Sequence, residues 1–463
     1  MTTTENSAEA QTEPPPNTSL LSGAHRTATI GILMVVTLIA FEAMAVATAM
    51  PTAVAALHGL AYYGWPFTGF LVANVVGVVA GGEICDRDGP RRSLLAGLAV
   101  FTAGLIVAGA APDMAAFVFG RAVQGLGGGL VIIAVYIVIA EVYDDRLRPR
   151  IFAALSAAWV LPSLVGPVIS GALTQHLTWR LVFLSIPPFI VLALLLIMPA
   201  LRSLAPHPSS GARLTRWRIA LIAAIGVATL QYAGQELHWL SLLPFVIGLV
   251  LLVGALRRLL PAGTVRVRRG MPAVVAFRGM LAGAFFAVDS FVPLTLSHLH
   301  GYGATLAGMP LMIGALGWSA GSWVQGHRQQ AHRHRYVRAG FGFVAIAALT
   351  MSTLTLHQTP GWVAYLAWLV GGAGMGLVMP TLSLLVLDFS PVAERGKNSS
   401  ALQICDVIGS ALCVGVGGVM VAAAAHSLLS LPVALRLVDI TMAVLALSGS
   451  VLAGRARGVR QDG

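Results

Sequence analysis

Six ionisable residues stand inside apolar stretches of a chain that is 57% hydrophobic and only 10% charged: Glu42, Arg121, Arg278, Asp289, Asp406 and Asp439. A charge at the middle of a bilayer costs roughly 2.5–3.5 kcal/mol even by the mildest scales. Such residues therefore pair, face protein or water, and mark proton, ion or substrate paths. The chemistry on offer is reversible: a carboxylate takes up or releases a proton or holds a cation, and arginine favours its charged form. No catalytic constellation accompanies them, whether a histidine box, paired acids in an aqueous loop or a phosphate-cradling glycine loop. Cys85, Cys405 and Cys413 have no metal-ligand spacing, and His332 and His334 alternate with arginines in a basic loop. We expect no enzyme, no metal and no cofactor.

The elements that must position these residues are membrane helices. Mean hydropathy is +0.82, and apolar runs of about 20 residues, enough to span ~30 Å of hydrocarbon as helix, recur along the 463 residues. They read 28–50, 64–84, 93–111, 114–141, 151–174, 179–201, 219–234, 239–256, 272–298, 303–326, 336–356, 361–388, 398–425 and 431–453, fourteen in all. The fold class is an all-α polytopic membrane protein. Its expected domains are an amino-terminal cytoplasmic tail (1–27), a six-helix half (28–201), basic connectors with two extra helices (202–270), a second six-helix half (271–454) and a short tail (455–463).

Charge sets the orientation. The net charge of +11 sits in clusters between apolar runs, the positive-inside pattern rather than a nucleic-acid surface. An internal amino terminus puts Arg87, Arg91 and Arg92, Arg146, Arg148 and Arg150, and both basic connectors on one side, with both termini cytoplasmic. The weak central pair of runs is required by this parity. Glu42 lies ~14 residues into an outward-going first span and Arg121 ~8 residues into an inward-going fourth, which brings them to similar depth.

Four stretches carry a resemblance. Gly82-Glu-Ile-Cys-Asp86-Arg87-Asp-Gly89-Pro-Arg91-Arg92, between the second and third spans, resembles the signature loop of the major facilitator superfamily. In it Gly82 would let another helix approach, Gly89 would make the turn, and Asp86 would pair with an arginine or a helix amino terminus. Arg121-Ala-Val-Gln124-Gly125-Leu-Gly127-Gly128 resembles the fourth-helix motif linked to proton transfer in proton-coupled members. Gly166-Pro167-x-x-x-Gly171 resembles the antiporter motif, with Pro162 and Ser170 departing from its usual glycines. Glu42, nine residues before Pro51, resembles the first-helix acid of the drug:proton antiporters, where aspartate is usual.

The resemblance implies a fourteen-spanner drug:proton antiporter with a major facilitator fold in a bacterial plasma membrane. It would be a monomer surrounded by membrane lipids, its partners a lipophilic small molecule and protons and not nucleic acid. Implied roles are proton coupling for Glu42 and Arg121, with Asp289 as a second proton or substrate-charge site. Asp406 is expected near the inner end of the eleventh common helix, facing the opening motif. A lipid or lipoglycan exporter, or another proton-coupled solute transporter of this fold, would carry nearly the same sequence. The motif copy at Gly321–Arg328 has Gln325 in place of the acid, so its electrostatic role should be lost.

Overall fold

A computed structural model describes residue 20 and residues 25–204, 216–236, 239–327, 333–356, 358–391 and 394–456. Most of the amino-terminal tail, the connector at 205–215 with Arg213, Arg328, His332 and the tail arginines Arg457 and Arg460 lie outside these residues.

Among the described residues all regular structure is helical. The first half comprises α1 (His25–Ala56), α2 (Trp65–Asp88), α3 (Pro90–Ala110), α4 (Met114–Val142), α5 (Arg148–His176) and a sixth span of two pieces, α6 (Leu181–Leu184) and α7 (Ile186–Ser203). The sixth span breaks at Ser185, where Pro187 and Pro188 remove backbone donors from the first turn of α7. The central pair is α8 (Arg216–Gln235) and α9 (Leu242–Leu259). The second half comprises α10 (Met271–His300), α11 (Ala304–His327), α12 (Arg333–Thr353), α13 (Val363–Phe389), α14 (Arg395–Ala425) and α15 (Leu431–Leu452).

Among the described residues, thirteen helical segments are long and apolar enough to cross a membrane, with α6 and α7 counted as one. The fourteenth span, α11, is 24 residues long, but its glycines, Pro310, Trp318 and Trp323 dilute its hydropathy. Those small residues serve packing instead. A Cβ on Gly317 or Gly321 would strike backbone carbonyls of α13 at 2.1 and 2.3 Å, so α11 and α13 lie backbone against backbone.

The halves repeat one packing plan. In the first, α4 packs on α2 and α3 while α1 packs on α5 and α7; in the second, α13 packs on α11 and α12 while α10 packs on α14 and α15. This is the two-repeat arrangement of one large transporter class. Between halves, α5 meets α11 and α2 meets α14. The central pair breaks the symmetry: α8 lies against both α2 and α14, covering one of the two seams. Its first turn is held by Glu83 on α2, whose carboxylate accepts from the backbone amides of Arg216 (2.7 Å) and Trp217 (3.2 Å). Near its other end Gln235 accepts from the Trp65 indole at 2.6 Å and donates to the Ala61 carbonyl at 3.2 Å.

Candidate functional site: buried ionic pairs within each half

Glu42 and Arg121 are in contact. α1 is packed on most sides, and Glu42 has no exposed surface. Arg121, 2% exposed, donates through Nη1 to Glu42 Oε1 and, at 2.6 Å, to Gln124 Oε1 one turn along α4. Its Nε donates to the Pro66 carbonyl at 3.3 Å, and its guanidinium lies 4.4 Å from the Phe70 ring centroid. Arginine suits this position because one planar group serves three acceptors and stacks on a ring. Glu42 Oε2 and Gln124 Nε2 are buried and have no partner among the described residues. Phe70 and the Pro66 carbonyl had no signal in the sequence.

The glycines after Arg121 bring α4 against its neighbours. A Cβ on Gly125 would meet the Phe70 carbonyl oxygen at 2.1 Å, and one on Gly127 would meet the Phe101 nitrogen at 2.2 Å. Gly125 therefore allows close approach to α2, and Gly127 to α3. In α5, Gly166 faces Met44 of α1, and Ser170 donates to the Ala45 carbonyl at 2.6 Å. The hydroxyl at 170 thus ties α5 to α1 where a glycine could not. Pro167 lies inside the same helix. Gly171 faces the other half: a Cβ there would lie 2.4 Å from Thr305 Cα on α11.

The opening motif forms a one-residue turn. α2 ends at Asp88, α3 begins at Pro90, and Gly89 between them takes φ +82°, a conformation that favours glycine. One expectation changes here. A Cβ added at Gly82 would meet nothing within 4 Å, so that glycine does not admit a neighbour in this state. Gly77 and Gly81 do, against Leu126 and Leu130 of α4. Asp88, not singled out from the sequence, gathers Arg87 at 2.7 Å and Arg92 at 3.0 Å. Asp86 and Arg91 are exposed beside it.

In the second half, Asp406 on α14 accepts from Arg278 Nε on α10 at 2.7 Å, and the same guanidinium reaches the Met379 carbonyl and Ser383 hydroxyl of α13. This pair ties three helices of one half together. The partner of Asp406 thus lies 128 positions earlier in the chain, on α10. Asp289, half-buried, accepts from the Trp368 indole of α13 at 2.7 Å. The acid at Asp388 pairs with Arg333.

At the end away from the opening motif the halves are sealed. Tyr63 donates to the Ser290 carbonyl at 3.1 Å and stacks on Phe291, Thr305 donates to Gln175 at 3.2 Å, and Gly64 packs on Gly418.

Two six-helix repeats enclosing buried ionic pairs, with the seams between repeats sealed at one end, define a polytopic membrane protein of the alternating-access transporter fold. The chain belongs to the Major Facilitator Superfamily, whose family model matches residues 32–414. It is similar to an uncharacterized MFS-type transporter of Mycobacterium tuberculosis, 29% identical over 395 residues, 81% of this chain and 56% of that one. The chain thus spans little more than half the length of that relative. A probable multidrug-efflux transporter of the same organism is 28% identical over 401 residues (80% of this chain, 82% of that one). The multidrug transporter protein MdtP of Bacillus subtilis is 27% identical over 423 residues (86% and 76%). Among solved structures, an auto-inhibited POT family peptide transporter superposes with a TM-score of 0.70 at 16% identity, covering 94% of this chain and 97% of that one. At that identity the likeness concerns the fold.

Proposed function

We propose that this protein is a proton-coupled exporter of lipophilic, drug-like compounds, working by alternating access in a bacterial plasma membrane with both termini cytoplasmic. The observation that carries the reading is the Glu42–Arg121 contact, a carboxylate with no exposed surface held by a buried guanidinium. Proton coupling needs an acid that meets one side of the membrane at a time, and Glu42 is shut away in this outward-sealed state. A proton on the unpartnered Oε2 would cancel the charge that Arg121 balances. Arg121 would keep Gln124, the Pro66 carbonyl and the Phe70 face. Protonation then shifts the equilibrium between facings by its differential affinity for them. The two multidrug relatives support the substrate class. The clustered arginines support the orientation and the bounds of the halves.

The test is transport by purified protein in proteoliposomes under an imposed pH gradient, with lipophilic dyes and labelled lipids as cargo. Gradient-dependent dye movement is expected. Dye movement indifferent to the gradient would reject coupling, and lipid movement without dye movement would make the protein a lipid exporter.

A further inference from the structure

Each half carries a carboxylic acid at the corresponding place in its first helix, with a different partner. Glu42 and Asp289 each lie roughly 18 residues into the first helix of their half, ~27 Å along it at 1.5 Å per residue. Each accepts a hydrogen bond from the fourth helix of that half, within about two turns of its start: Glu42 from Arg121, Asp289 from Trp368. The arginine balances the charge on Glu42. An indole cannot do the same for Asp289, which has no ion pair among the described residues. Arg278, on the same helix, is ~16 Å away and occupied by Asp406.

The surroundings differ in kind as well. Phe285 stacks on Trp368 (centroids 5.0 Å, 21°) and meets Phe286 and Trp318 edge-on at 5.5 and 6.1 Å. Phe285 and Trp368 are buried and form the back of the cluster; Asp289, Phe286 and Trp318 are only partly buried. α10 packs on every other helix of its half and on α1, so the accessible face of Asp289 opens within the bundle rather than to lipid. A carboxylate lacking a counter-charge, beside accessible aromatic faces, recognises a weakly hydrated organic cation through charge and cation–π attraction.

Resting on the exporter reading, we propose that Asp289 with Phe286 and Trp318 is the site that binds the positive charge of an amphiphilic organic monocation. Trp368 positions the carboxylate. Proton exchange and charge recognition are thereby divided between the halves, the first at Glu42 and the second at Asp289.

Equilibrium binding of tetraphenylphosphonium, a permanent cation with no proton to lose, to the full chain in lipid nanodiscs tests this without any gradient. The expected outcome is binding weakened at least tenfold by Asp289→Asn and several-fold by Trp318→Ala. Asp289→Glu and Glu42→Gln should each stay within about threefold of the parent. Unaltered melting of Asp289→Asn checks that the fold is intact. An unchanged affinity in Asp289→Asn, or a parent that does not bind the cation, would overturn the assignment. Failure of gradient-driven transport with Asp289-dependent binding intact would overturn the exporter reading alone.

Discussion

Arg121 donates to Glu42 although 79 residues separate them, and both side chains are buried where a lone charge would be expensive. The pair costs least when both members are present. Removing one leaves the other as a buried, unbalanced charge, typically a 3–5 kcal/mol loss.

Arg121→Leu should accordingly destabilise the fold by about that amount and lower the melting temperature. Adding Glu42→Gln to it should recover a large part of the loss, because no buried charge remains. Arg121→Lys should fall in between, since an ammonium cannot serve Glu42 and the Pro66 carbonyl with a planar fork. Thermal melts of the four proteins check this order. A double variant no more stable than Arg121→Leu would contradict it.

Gly171 makes a close contact across the uncovered seam, with Thr305 Cα 2.4 Å from where its Cβ would stand. Gly171→Val should wedge α5 from α11 and shift the population away from the sealed state. Spin-label distances between the outer ends of these helices should lengthen. An unchanged distance distribution would show that the seam has room to spare.

Gln231 on α8 is 4% exposed, and neither polar atom of its amide has a partner among the described residues; Gly64, Gly415 and Gly418 lie beside it where α8 covers the other seam. A buried unpaired amide costs about 1–3 kcal/mol. Gln231→Leu, close in volume, should therefore stabilise the sealed state, raise the melting temperature and slow turnover. A lower melting temperature with faster turnover would run against this account.

Legibility in the sequence followed physical scale. The spans and the central pair among them came from hydropathy and charge parity, because a bilayer imposes length and charge rules on each segment separately. Glu42 and Arg121 could be matched because depth follows from counting residues along two helices. Angular detail was not accessible in that way. Adjacent helical residues point about 100° apart, so the motif glycine Gly82 faces open space while Gly81, one position before it, packs on α4. Partners distant in sequence were equally hidden. Arg278 and Asp406 each announced a need for a partner, but their pairing depends on how α10 and α14 pack. Nothing in the sequence set Trp368 apart from the other tryptophans, and only its indole hydrogen bond to Asp289 distinguishes it. The sixth span read as one run because a break at Ser185 alters its hydropathy very little.

The central claim is that protonation of Glu42 couples the pH gradient to export. Glu42→Gln keeps the size of the side chain and its hydrogen bonding to Arg121 but cannot exchange a proton. In proteoliposomes loaded with a fluorescent lipophilic dye, the parent should accumulate dye against its gradient when an inwardly directed proton gradient is imposed. Glu42→Gln should lose that accumulation by at least tenfold while still equilibrating dye down its own gradient. Full gradient-driven accumulation by Glu42→Gln would contradict the account.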